Sequence, residues 1–130
     1  MAWYLDTSAF VKLVVREKHS AALRRSLTGE GTDLVGSDLL RTEALRAARI
    51  HSVEALRRTR ELLEAVTLVH VTSDICERAA ELDPTILRSL DALHVATALS
   101  LGDAVSGVIT YDLRMAAACE VHGLRVSAPT

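Results

Sequence analysis

Four acidic residues lie at positions where their side chains could form a binding or catalytic site in the folded chain. Asp6 and Asp112 each follow a short apolar run, whereas Glu43 and Asp91 lie inside stretches whose apolar residues recur at helical spacing. Carboxylates brought together repel one another, which raises some of their pKa values. A divalent cation would remove that conflict. The four acids therefore indicate a metal site, provided that the fold brings them together.

An all-oxygen ligand set narrows the choice of metal. Carboxylates select hard cations such as Mg²⁺ or Mn²⁺, whereas zinc usually recruits histidine or cysteine. Two such ions can orient a phosphodiester, activate a water and stabilise the leaving oxygen. The predicted chemistry is metal-dependent phosphodiester hydrolysis. Taken one at a time, however, each acid is better explained as a helix cap or a surface residue.

Strands alternate with helices along the chain, which predicts an α/β fold with a mostly parallel central sheet and helices on both faces. In such sheets, sites form outside the carboxyl ends of the strands. Asp6 and Asp112 should leave strands at that edge, and Glu43 and Asp91 lie early in helices that start there. The predicted strands are 2–5, 34–36, 67–71, 107–110 and 124–126, and the predicted helices are 8–15, 20–27, 38–50, 53–65, 73–82, 88–102 and 113–121.

Several side chains are assigned positions by these patterns. Ser8 is predicted to cap the first helix. Glu43 should project from the apolar stripe of its helix. Val53, Leu56 and Leu63 should face inward from the helix that contains them, and Cys76 and Cys119 are expected to be buried free thiols in a reducing cytoplasm.

Length and composition predict one folded domain over residues 1–130, with 49% apolar and 25% charged residues. No signal peptide or membrane span is expected from the sequence. The formal net charge of −2 gives the whole chain no electrostatic match for nucleic acid. Without the four acids, 13 acidic residues stand against 15 Lys and Arg, so the surface around an acidic site would be mildly basic.

The chain resembles the PIN-domain ribonucleases, and specifically the VapC toxins of bacterial toxin–antitoxin pairs. Each motif alone is weak, but all four occur in the family's order and cover nearly the whole chain. The residues that carry the resemblance are Tyr4-Leu5-Asp6-Thr7-Ser8-Ala9, Ser37-Asp38-Leu39-Leu40-Arg41-Thr42-Glu43, Leu90-Asp91-Ala92-Leu93-His94-Val95-Ala96-Thr97-Ala98 and Val108-Ile109-Thr110-Tyr111-Asp112.

The resemblance implies a three-layer α/β/α sandwich and a Mg²⁺- or Mn²⁺-dependent endoribonuclease, often one that acts on transfer or ribosomal RNA. It also implies a homodimer that is neutralised by a small VapB-type antitoxin in a heterotetramer or larger assembly. Asp6, Glu43, Asp91 and Asp112 match the family's acidic quartet. Asp6 and Asp91 are expected to contact metal directly, and Glu43 and Asp112 through water.

Some residues near the acids have two possible roles. Thr7, Ser8 and Thr110 could support the site by hydrogen bonding to carboxylates or to a phosphate, but helix capping or bonding at the strand ends explains them equally well. For His94, a packed structural role is favoured over that of a general base.

Three other classes of protein compete with this interpretation. A phosphotransferase of the haloacid dehalogenase type would need a second acid where Ser8 stands. A response-regulator receiver would need a lysine after a late strand, and the only lysines are Lys12 and Lys18. The remaining alternative is a catalytically inert PIN-like binding module.

Overall fold

The computed structural model describes residues 1–29 and 31–130. Apolar runs form the strands, and amphipathic segments form the helices between them. None of the described helices is both long enough and apolar enough to cross a membrane. The strands are β1 Ala2–Leu5, β2 Asp33–Ser37, β3 Thr67–Val69, β4 Gly107–Ile109 and β5 Val126–Ser127. The helices are α1 Thr7–Val14, α2 Ser20–Ser26, α3 Asp38–His51, α4 Val53–Ala65, α5 Ser73–Glu81, α6 Ser89–Leu101 and α7 Leu113–Val121, with a 3₁₀ turn at Gly102–Ala104.

The five strands form one parallel sheet in the order β3-β2-β1-β4-β5. Tyr4 on the central strand lies opposite Val35 of β2 and Val108 of β4. The predicted parallel sheet is therefore confirmed. The two edge strands differ from their predicted bounds: β3 stops two residues early, and β5 begins two residues late. Both strands lie at the edges of the sheet, where strands are commonly short.

Side chains alternate across the sheet and fill two apolar cores. Leu5 and Ile109 belong to the core that contains Phe10 of α1 and Leu40 of α3. Tyr4 and Val108 belong to the opposite core, against α6 and α7, with the buried residues Val95, Met115 and Cys119. Helices α1 to α4 thus cover one face and α5 to α7 cover the other, which confirms the three-layer α/β/α architecture.

Two predictions about burial are wrong. Cys76 is exposed, whereas it was predicted to be buried. Both cysteines are free thiols and Cys119 is buried, as predicted. Helix α5 packs through Ile75 and Ala79, which are one turn apart, and Cys76 is rotated away from that stripe.

Val53 is 86% exposed. Helix α4 buries Ala55, Thr59 and Leu63 at a spacing of four residues. Val53 precedes that stripe by two positions, which places it on the opposite side of the helix.

Candidate active site

The four acids are carried to one edge of the sheet. Strands β1 and β4 are parallel neighbours, with Leu5 opposite Ile109, so Asp6 and Asp112 both emerge beyond the carboxyl ends of adjacent strands. Helix α3, which carries Glu43, begins directly after β2 at the same edge. Helix α6 leads back towards the start of β4, which places Asp91, in its first turn, at this edge as well.

Asp6 is 2% exposed and accepts more hydrogen bonds than any of the other three acids. Its Oδ1 accepts from the Ala9 N–H at 2.9 Å and from the Ser8 hydroxyl at 2.7 Å. Its Oδ2 accepts from the hydroxyls of Ser8 and Thr110. Burial raises the pKa of Asp6 above its ordinary value, and these donors, Thr110 foremost, act against that rise.

Asp6 itself caps α1, which corrects the prediction that Ser8 does so. The helix begins at Thr7, one residue earlier than predicted, because the Asp6 carboxylate satisfies the Ala9 N–H. Ser8 instead donates its hydroxyl to Asp6 and accepts from the Tyr111 N–H at 3.0 Å. It thereby links the end of β1 to the segment that follows β4.

Asp112 is the N-cap of α7. Its Oδ1 accepts from the N–H groups of Arg114 and Met115 at 2.9 and 3.1 Å, respectively. The Asp112 N–H donates to the Thr110 hydroxyl at 3.1 Å, and that hydroxyl donates to Asp6. Asp112 is thus a helix cap, as the simpler interpretation expected, yet capping uses only one of its two carboxylate oxygens.

Glu43 is tied to the elements that carry two of the other acids. Its Oε1 accepts from the Thr7 hydroxyl at 3.0 Å and is 2.7 Å from Nε2 of His94. Burial alone would raise the pKa of Glu43, but the hydrogen bond and charge of His94, together with the hydrogen bond from Thr7, outweigh burial and leave the pKa below its usual value. Glu43 is therefore held as a carboxylate.

Asp91 is half-buried and receives the repulsion of the whole cluster. Its pKa is raised first by partial burial and then by the negative charge of Asp112, with further contributions from Asp6 and Glu43, while His94 acts in the opposite direction. Asp91 and Asp112 line an open groove together with Arg88, Leu113 and Arg114. The groove gives solvent and ligands access to these two carboxylates.

The donor set suits a hard divalent cation because every candidate atom is a carboxylate oxygen and the acids repel one another. Among the described residues, no group of three or more His, Cys, Asp and Glu side chains is already arranged to hold a metal ion. A bound cation would therefore have to draw the carboxylates closer together. Since both Asp6 oxygens accept hydrogen bonds, direct metal contact by Asp6 would also require a donor such as Ser8 to shift.

Three residues of this edge were missed in the sequence: Tyr4, Arg88 and Arg114. Tyr4 is fully buried, and its hydroxyl lies 2.7 Å from Nδ1 of His94. A tyrosine inside a buried strand needs a partner for its hydroxyl, which is a signal that the sequence contains. The two arginines carry no comparable signal, because only the fold places them beside the acids.

Replacing Thr110 with valine should shift the pH dependence of any activity that needs ionised Asp6. The substitution keeps the side-chain shape but removes a donor that lowers the Asp6 pKa, so that pKa should rise further. A hydrogen bond to a charged group contributes about 1.5–3 kcal/mol, so the acidic limb of kcat/KM should move up by about 1–2 pH units. Thr85→Val, at an exposed position, is the control. An unchanged acidic limb in Thr110→Val would contradict the hydrogen bond from Thr110 to ionised Asp6.

Comparison with known proteins shows which family the chain resembles. Residues 3–121 match the PIN domain. The chain is 42% identical over 129 residues to Ribonuclease VapC46 of Mycobacterium tuberculosis, which covers 99% of this chain and 98% of the relative.

Solved structures share the fold at lower identity. VapC20 of Mycobacterium tuberculosis, described as a sarcin-ricin loop cleaving toxin, superposes with a TM-score of 0.75 at 18% identity, covering 99% of this chain and all of that one. A chain of a toxin–antitoxin complex from Klebsiella pneumoniae gives 0.74 at 22% identity, with 98% of each chain covered. At these identities the structures establish the fold alone. The match to the PIN domain and the full-length match to VapC46 confirm the family resemblance: the chain belongs to the PIN-domain family, among its VapC ribonucleases.

Proposed function

We propose that the chain, acting as one PIN-like domain over residues 1–130, is a Mg²⁺- or Mn²⁺-dependent endoribonuclease toxin. Its site would consist of the acidic quartet Asp6, Glu43, Asp91 and Asp112. The observation that carries the proposal is the placement of the four acids: Asp91 and Asp112 line one groove, and Glu43 is hydrogen-bonded to Thr7, next to Asp6, and to His94, one turn after Asp91. Acids that served only as separate caps or surface groups would not need to be gathered at one place in the fold.

Two carboxylates of the quartet are held by hydrogen bonds, and the other two face the groove. Asp6 and Glu43 are fixed by hydrogen bonds from hydroxyl, amide and imidazole groups, so they would hold the elements of the site in fixed positions. Asp91 and Asp112 line the groove and would present oxygens to ligands there. When bound, a hard divalent cation supplies charge stabilisation at the phosphodiester and lowers the pKa of an attacking water.

The groove also suits an RNA backbone. Arg88 and Arg114 line it on the same surface as Asp91 and Asp112, and neither arginine makes an ion pair with another described residue. Guanidinium groups bind phosphate oxygens in a bidentate manner. We assign these arginines to phosphates next to the scissile one, on transfer or ribosomal RNA as the substrate class. Such an activity would operate in the cytoplasm.

The proposed partner is a small VapB-type antitoxin, and the proposed assembly is a homodimer that joins the antitoxin in a heterotetramer or larger complex. The toxin–antitoxin complex from Klebsiella pneumoniae, which shares this fold, supports that pairing. Ile50 and Val53, at the junction of α3 and α4, are 87% and 86% exposed and suit contact with another chain. Most of their apolar surface is left in water by this chain alone.

Metal binding can be tested without RNA. Adding Mn²⁺ to protein prepared in EDTA should raise the melting temperature, because a ligand present at 100 times its Kd stabilises the folded state by about 2.7 kcal/mol, or roughly 5 °C or more for a domain of this size. Asp91→Asn should lose most of that shift. Differential scanning calorimetry measures both.

Asp74→Asn is the matched control, since Asp74 lies in the first turn of α5 as Asp91 does in α6. The control should keep the full response to Mn²⁺. Equal shifts in wild type and Asp91→Asn would remove Asp91 from the metal site, and no shift in any of the proteins would favour the inert binding module.

A further inference from the structure

A buried hydrogen-bonded chain leads from the centre of the sheet to one carboxylate of the site. The Tyr4 hydroxyl lies 2.7 Å from Nδ1 of His94, and Nε2 of His94 lies 2.7 Å from Oε1 of Glu43. Tyr4 is fully buried and His94 is 2% exposed, so water does not compete for these contacts. The chain joins β1, α6 and α3, which are far apart in sequence.

The carboxylate of Glu43 sets the direction of the outer hydrogen bond. A carboxylate can only accept, so Nε2 of His94 carries a hydrogen and donates it to Oε1. The Tyr4 hydroxyl, which can donate or accept, contacts Nδ1 on the other side of the ring. Tyr4 thereby fixes the orientation of the His94 ring that Glu43 requires.

The consequence for Glu43 is that one of its oxygens is fully used. Oε1 accepts from His94 and also from the Thr7 hydroxyl, whereas Oε2 accepts from no described residue. Thr7 directly follows Asp6, and His94 lies one turn after Asp91. The two donors to Glu43 therefore come from the elements that carry Asp6 and Asp91, which fixes the relative positions of these three acids.

We propose that His94, oriented by Tyr4, is a positioning residue that holds Glu43 so that only Oε2 is free to act in the site. His94 does not touch the substrate or serve as a general base in this role. The inference rests on the proposed function, since a positioned carboxylate matters only if the quartet binds a cation. It assigns to His94 more than the packing role predicted from the sequence.

Two substitutions at position 94 separate positioning from packing. A glutamine amide nitrogen reaches about as far as Nε2 of histidine, so His94→Gln should keep the donor to Glu43. An asparagine amide nitrogen reaches only about as far as Nδ1, so His94→Asn should lose that donor. Tyr4→Phe removes the phenol hydroxyl and leaves the ring in the core.

We expect His94→Asn to raise the Kd for Mn²⁺, measured by isothermal titration, about 10-fold or more, as is common when a partner of a metal-binding side chain is lost. Its kcat for RNA cleavage should fall about 10–100-fold with KM within about twofold of wild type. His94→Gln should stay within about threefold of wild type in each quantity, and Tyr4→Phe should fall between the two.

A purely structural role gives a different pattern. Both substitutions at position 94 would then lower the melting temperature, while the folded fraction would keep the Mn²⁺ affinity and kcat of wild type. That pattern, or equal damage from asparagine and glutamine, would overturn the proposal while leaving the proposed function intact. If His94→Asn does not fold, unchanged Mn²⁺ affinity and kcat in Tyr4→Phe would overturn it equally. A wild-type protein that neither binds Mn²⁺ nor cleaves RNA would overturn the proposed function and this inference together.

Discussion

Asp6→Asn is expected to abolish RNA cleavage, with a fall in kcat/KM of about 100-fold or more, because one corner of the proposed cation site loses its charge. The helix cap should be kept, although the amide nitrogen replaces an oxygen that accepts from the Ser8 and Thr110 hydroxyls. Asparagine is as good a helix cap as aspartate, so the Ala9 N–H should keep its acceptor. Expression of the variant should therefore also fail to arrest growth. Cleavage of a labelled RNA by the purified variant measures the effect.

The melting temperature of Asp6→Asn separates lost chemistry from lost structure. Burial raises the pKa of Asp6, so in the folded protein its ionised form costs free energy that appears as the pH rises through that pKa. An amide carries no such cost. In EDTA at neutral pH, the variant should melt at or above the wild-type temperature, and the difference should shrink below about pH 4, where aspartate is protonated in both states. If the variant melted well below the wild-type temperature, unfolding would explain the lost cleavage.

Gly107→Ala should cause the largest loss of stability from a single added methyl group. A Cβ at this position of β4 would lie 2.5 Å from the backbone oxygen of Arg125 and 2.8 Å from the Trp3 ring. The carbonyl belongs to the segment that pairs with β4, because the Val108 N–H donates to it at 2.8 Å. Relieving the clash means moving that segment, and overpacking of this kind costs about 1–3 kcal/mol or more. Urea unfolding in EDTA measures the change.

Gly29→Ala is the matched control, since its added Cβ would meet, within 4 Å among the described residues, only the Thr32 hydroxyl at an ordinary 3.6 Å. The free energy of unfolding of the control should stay within about 0.5 kcal/mol of wild type. Because β4 leads into Thr110 and Asp112, Gly107→Ala should also reduce cleavage. Equal stability of the two variants would contradict the close approach of strand and segment at Gly107.

The order of strands and helices could be predicted because periodicity is a local property. Apolar runs such as 107–109 and helical stripes such as that around Glu43 depend only on neighbouring residues. Parallel pairing then follows from the alternation of strands with helices, and the carboxyl edge follows from parallel pairing. These local patterns therefore predict that the four acids lie at one side of the sheet.

The errors arise where tertiary packing decides. Cys76 and Val53 are apolar residues in helical patterns, but each lies off the stripe that its helix buries. Ser8 is a good capping residue, yet the Ala9 N–H donates to the carboxylate of Asp6, two residues earlier, and the helix begins at Thr7. In each case a local preference was present, and a neighbouring residue satisfied the same requirement better.

The hydrogen-bonded chain from Tyr4 to Glu43 could not be read from the sequence. Its members come from β1, α6 and α3, and the contacts exist only because α6 packs over the face of the sheet to which Tyr4 points. The sequence contained both a buried tyrosine in need of a partner and a carboxylate in an apolar stripe. Pairing them through His94 requires the three-dimensional arrangement.

The most direct test of the central claim is to sequence RNA 5′ ends after total RNA is incubated with the purified protein. Wild type with Mg²⁺ should produce new 5′ ends at a few defined positions, and these ends should be absent with EDTA and absent with Asp6→Asn. New ends that persist in EDTA, or that Asp6→Asn produces as well as wild type does, would contradict a metal-dependent ribonuclease built on this quartet.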